Sequence, residues 1–170
     1  MTGPGPISQF LAADHRRLEA LLERATPASG EIDAALFEDF RAGLLRHIAI
    51  EEKVLLPAAQ RARGGVPLEI ARQLRLDHGA IAALLVPTPT PEIVRRLRAL
   101  LALHDAVEER PRGAYDDCDR LLNAEVEALL NEMRAVPAVR TAPHTDSVFV
   151  EQHIVERLRM AGRESVLSCS

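Results

Sequence analysis

Asp14-His15-Arg16-Arg17-Leu18-Glu19-Ala20-Leu21-Leu22 and His47-Ile48-Ala49-Ile50-Glu51-Glu52-Lys53 each return, in altered form, further along the chain. The first reappears as Asp77-His78-Gly79-Ala80-Ile81-Ala82-Ala83-Leu84-Leu85, the second as His104-Asp105-Ala106-Val107-Glu108-Glu109-Arg110. The residues that survive the duplication are those that bind metals: His, then His-x-x-x-Glu, and the same again. An internal repeat marks a structural unit used twice. Two such half-sites facing one cavity supply four imidazoles and two carboxylates, which suits a pair of metal ions.

The surroundings of these residues read as helices. Ile7, Leu11, Leu18 and Leu22 fall at spacings of three and four around His15, predicting a helix over about 6–25. After a turn at Thr26–Gly30, a second helix carries Leu36, Phe40, Leu44, His47, Glu51, Val54 and Ala58 on one side, with Pro57 expected to kink it. A third carries Ile70, Ala71, Leu74, His78, Ile81 and Leu85. Thr90 and Pro91 then start a fourth with Ile93, Leu97, Leu101, His104 and Glu108 in register. Pro111 and Gly113 should distort it, before Tyr115, Cys118, Leu122, Val126 and Leu129 resume a helical period towards residue 135. The expected class is all-α: an antiparallel up-down-up-down four-helix bundle over 1–136. Residues 137–170 are read as a linker, a short amphipathic helix bearing Val148, Val155 and Leu158, and a tail. That helix is free to pack on the bundle or on a second subunit as a homodimer contact.

Residues four apart on a helix share a face about 6 Å apart along the axis, so His47 with Glu51, and His104 with Glu108, can converge on one region. The expected metal ligands are His15, His47, Glu51, His78, His104 and Glu108, with the two glutamates as bridges. Two six-coordinate ions offer about twelve positions. Imidazoles fill four, bridging carboxylates four and one bridging oxygen two, which leaves about one open position per ion for a small ligand. Two buried carboxylates close together also cannot both stay ionised without a compensating cation.

Composition narrows the field. Hydrophobic residues make up 47% with only 3% aromatic, which disfavours strands, and a net charge of −4 without a basic run argues against nucleic acid as partner. No apolar run reaches the roughly 18 residues needed to span a bilayer, and no secretory leader is visible at Met1–Gln9. Cys118 and Cys169 are too few for a disulfide framework. A cytoplasmic protein is expected.

With its six ligands on four predicted helices, the chain resembles the hemerythrin-like family, also called the HHE cation-binding domain, over about residues 7–135. The resemblance implies a four-helix bundle holding a non-haem di-iron centre: two iron ions, with manganese or zinc less favoured. Oxygen-carrying members have a further histidine one turn before the third-helix ligand, where this chain has Leu74. The expected function is binding of dioxygen, nitric oxide or peroxide for sensing, protection or delivery. The alternatives are an oxidase- or peroxidase-type enzyme, or iron storage and donation.

Several neighbours invite plainer readings. Glu52 and Glu109, rotated about 100° from the bridges, are expected to be solvated charges. Asp14 and Asp77 either orient ligands or lie on a helix surface. Tyr115 is expected to pack rather than reach the metals, and Cys118 to be an inert core residue. His144 and His153 read as surface residues. Glu19, whose counterpart is Ala82, is not expected to bridge.

Overall fold

Alternation of apolar clusters along the helices sets the level of every candidate ligand. The structure, a computed structural model, describes residues 3–168, all helical or irregular without a strand among them. Cys169 lies outside the described residues. Helix α1 (Pro6–Ala25) begins with proline at its first turn and has no cap of its own. The Asp119 carboxylate accepts from the Ile7 and Ser8 backbone N–H groups at 2.8 and 3.1 Å instead. Helix α2 (Ala34–Ile50) is capped by Asp33, which accepts from the Leu36 N–H at 3.0 Å.

The kink expected from Pro57 takes a definite form. Residues Glu51–Leu55 make a π turn that leads into α3 (Leu56–Ala62), and the Leu56 N–H reaches back to the Glu51 carbonyl. Proline has no N–H and crowds the preceding turn, and a widened turn relieves both problems. It begins at a candidate bridging residue.

Helices α4 (Ala71–Leu84) and α5 (Pro91–Glu109) follow, with the Thr90 hydroxyl accepting from the Ile93 N–H at 3.2 Å. The break expected at Pro111 and Gly113 separates α5 from α6 (Ala114–Leu121). The helix expected to continue to residue 135 is interrupted again by a 3-10 turn at Asn123–Glu125 before α7 (Val126–Ala135).

The core has two apolar clusters. One gathers Leu18, Leu44, Ile81 and Leu100; the other gathers Leu11, Ile50, Leu74 and Tyr115, with Val107 packed against it. His15 lies between Leu11 and Leu18, His47 between Leu44 and Ile50, His78 between Leu74 and Ile81, and His104 between Leu100 and Val107. All four histidines therefore sit at the boundary, and α1, α2, α4 and α5 pass from cluster to cluster in alternating order. Each fully buried Leu or Ile contributes about 1.5–3 kcal/mol, so the clusters clamp the polar layer from both ends.

Helix α8 (Val148–Met160), capped by Ser147, packs on α4. Of the expected Val148-Val155-Leu158 stripe, Leu158 is buried and Val155 half-buried, while Val148 is not part of the inward face. Ile154, Leu158 and Ala161 are buried in the first cluster, whereas Val148 is 65% exposed. Val148 opens the helix, and its first turn overhangs the edge of the core.

Candidate metal centre

The six residues expected as ligands meet in one buried layer: His15 from α1, His47 from α2, Glu51 from the π turn, His78 from α4, and His104 and Glu108 from α5. They form two groups whose donor atoms lie within 4.8 Å of one another. His15, His47, Glu51 and Glu108 make one; Glu51, His78, His104 and Glu108 make the other. Both glutamates belong to both groups. Glu51 turns Oε1 towards His47 Nε2 at 3.4 Å and Oε2 towards His78 Nε2 at 3.1 Å. Glu108 turns Oε2 towards His15 Nε2 at 3.5 Å and Oε1 towards His104 Nε2 at 3.2 Å.

The polar atoms of this layer are incompletely satisfied by protein. Glu51 Oε2, Glu108 Oε1 and His78 Nε2 are buried and make no hydrogen bond, despite their close approaches. An unsatisfied buried polar group costs about 1–3 kcal/mol, so three facing one space are a standing cost that a cation removes. The mixed imidazole and carboxylate set fits iron, manganese or zinc.

A ring of carboxylates surrounds the histidines. His15 Nδ1 is 2.6 Å from Glu109 Oε1, His47 Nδ1 2.9 Å from Asp14 Oδ2, and His78 Nδ1 2.7 Å from Glu52 Oε1. His104 Nδ1 is more loosely placed, 3.5 Å from Asp77 Oδ2. A proton donated from Nδ1 to carboxylate leaves Nε2 aimed inward for a metal. Each acid serves a histidine on another helix, never its chain neighbour. Glu52 and Glu109 remain partly in water, as expected, with side chains 27% and 37% exposed, but each also pairs with an imidazole: a residue turned about 100° from the core axis faces the adjacent helix. Asp14 and Asp77 take the orienting role.

Further residues steady the ring. Arg163, just beyond α8, grips Asp77 with two bonds of 2.9 and 2.8 Å, and Gln73 donates to it at 2.9 Å. Arg17 donates to Asp14 at 2.7 Å and Arg75 to Glu52 at 3.1 Å.

Electrostatics follow from this crowding. Burial alone would raise Asp14 and Asp77, but bonds to His47 and Arg17, and to His104 and Arg163, hold each down to about 2. Burial would lower His47; the charges of Glu51 and Glu108 and the bond to Asp14 outweigh it and raise the imidazole to about 10. His78 and His104 also shift upward against burial, through Glu51 and Glu108 respectively and through their ring carboxylates. Glu51 is held well below the usual carboxylate range. Without metal, protons on His47, His78 and His104 act as the counter-charge, so metal binding must displace them.

Tyr115 departs most from expectation. Its side chain is fully buried, but its hydroxyl enters the polar layer, donating to Glu51 Oε1 at 2.6 Å with Glu108 Oε2 at 2.9 Å. The same oxygen is 3.1 Å from His15 Nε2 and 3.4 Å from His47 Nε2. Burial, then the charges of Glu108 and Glu51, push this phenol well above its ordinary range. The break ahead of α6 aims it. A Cβ on Gly113 would lie 2.6 Å from the Glu108 carbonyl oxygen, so only glycine allows the chain to fold back so tightly. The spacing of seven residues from Glu108, two helical turns, was the available signal.

The remaining candidates stay outside the layer. Glu19 and His153 are exposed, and burial pushes the Cys118 thiol up to about 12, which keeps it unreactive. His144 is not a free surface residue: it pairs with Glu38 at 2.6 Å. A cleft of about 1020 Å³ opens between the start of α1 and the α5–α6 break, bordered by Arg16, Arg110 and Arg112 and reaching Glu109 and Tyr115.

These features define a helical protein with a buried cation-binding layer of imidazoles and carboxylates. The family model of the hemerythrin HHE cation binding domain matches residues 7–135, and the chain belongs to this family. Comparison with curated proteins and with solved structures gives no match.

Proposed function

We propose that His15, His47, Glu51, His78, His104 and Glu108 hold two iron ions in an antiparallel four-helix bundle of α1, α2, α4 and α5, and that the protein binds a small ligand for sensing, protection or delivery. The observation that carries this reading is the sharing of both glutamates between two donor groups, each carboxylate presenting one oxygen to each pair of histidines. The alternating passage of the four helices between the apolar clusters supports the bundle. Bound iron supplies open coordination positions and accessible redox states for dioxygen, nitric oxide or peroxide. The protein residues hold the imidazoles in one orientation and the apolar clusters keep bulk water from the layer.

A cytoplasmic location belongs to the same proposal; among the described residues no helix is long and apolar enough to cross a membrane. A homodimer through α8 is supported by the exposure of Phe149, at 76%. The size of the cleft beside Tyr115 favours a second reading, an oxidase or peroxidase with an organic substrate. Visible absorption of iron-loaded protein in air separates the two. A spectrum that forms and reverses on removing oxygen supports binding, decay with consumption of peroxide or substrate supports the enzyme, and no spectral response contradicts both.

A further inference from the structure

We infer that Tyr115 is a fifth protein ligand to the ion held by His15 and His47, and that the ion held by His78 and His104 has no such ligand. The assignment rests on the dinuclear reading above. A metal–ligand distance of about 2.0–2.2 Å places adjacent octahedral donors roughly 3 Å apart. The Tyr115 oxygen lies 2.6, 2.9, 3.1 and 3.4 Å from Glu51 Oε1, Glu108 Oε2, His15 Nε2 and His47 Nε2. These spacings would suit five donors gathered around one ion. The four in turn form a rim: His15 to His47 at 2.9 Å, His47 to Glu51 at 3.4 Å and His15 to Glu108 at 3.5 Å.

A hydrogen-bonding role alone accounts for the position poorly. The one O–H proton serves one of the two carboxylate oxygens at a time, and the lone pairs can accept from protonated imidazoles, so it is the second carboxylate contact that hydrogen bonding leaves unmet. Coordination would relieve all four contacts: Tyr115 would give up its O–H proton to solvent buffer and offer the freed lone pair to the cation. Among the described residues no matching donor serves the other half. The residue seven beyond Glu51 is Ala58 and the residue one turn before His78 is Leu74, both buried and apolar. An incoming ligand therefore binds the His78/His104 ion.

Iron-loaded protein oxidised with ferricyanide gives the test. The wild type should show a broad visible phenolate-to-iron(III) absorption, with tyrosine ring vibrations enhanced by resonance Raman excitation within it. Tyr115→Phe should keep two irons per chain and lose both signals. Two bound irons without tyrosine vibrations in the wild type, or an unchanged band in Tyr115→Phe, would overturn the assignment. Uptake of fewer than two irons by the wild type is a different failure: the dinuclear reading itself falls, and the ligand with it.

Discussion

The half-site of His15 and His47 and the half-site of His78 and His104 carry the same repeated residues, but their surroundings differ. The first is closed by the Tyr115 hydroxyl and approached by the cleft; the second is backed by buried Leu74 and leaves the facing atoms His78 Nε2, Glu51 Oε2 and Glu108 Oε1 without hydrogen bonds. Duplication sets which ligands are present, whereas the two connections after the glutamates decide how alike the halves become. After Glu51 the chain continues through a π turn. After Glu108 it breaks at Arg110–Gly113 and turns Tyr115 inward.

The largest expected effect abolishes the comparison. Glu51→Ala removes an oxygen from both halves, so iron content should fall from two per chain to below one, whereas His78→Ala should leave the Tyr115 half occupied; elemental analysis distinguishes them. Next in size, Arg163→Met releases Asp77 and with it His104. Losing such a supporting contact typically costs about 10–100-fold in metal affinity, and competitive chelator titration should show one ion weakened and the other unchanged. Arg17→Met, which removes a single, half-exposed contact to Asp14, should change affinity far less.

Leu74→His acts on the open half directly. An imidazole one turn before His78 should fill its free position and weaken azide binding by about tenfold or more, equivalent to about 1.4 kcal/mol, in a spectral titration. Unchanged azide affinity with two irons bound would show that exogenous ligands bind elsewhere.

The last effect is on the metal-free fold and acts through His47 of the first half-site. In metal-free protein the folded-state pKa of His47, raised to about 10 from 6.5, adds stability that is fully present below pH 6.5 and is lost as pH rises through 10. Melting temperature of the metal-free form should therefore fall across that window. Iron-loaded protein, whose imidazoles are already deprotonated, should not show this loss.

How much of this was readable beforehand depends on the kind of constraint. The six proposed ligands were visible because they recur at helical spacing and because buried His and Glu conflict with an apolar stripe. The outer carboxylates recur too, as Asp14/Asp77 and Glu52/Glu109, but their partners lie on other helices, and single-helix geometry cannot supply that pairing. Tyr115 was within reach by spacing, although its direction depends on the backbone path through Gly113. Arg163 lies outside the repeat, and its contact with Asp77 depends on how α8 docks, which an amphipathic pattern alone does not reveal.

The central claim, that both glutamates are shared by two ions, is tested most directly by titrating metal-free protein with ferrous iron in the absence of oxygen and counting bound ions. Two irons per chain, with a raised melting temperature, is the predicted result. Saturation at one ion or none, with the melting temperature unmoved, would contradict it.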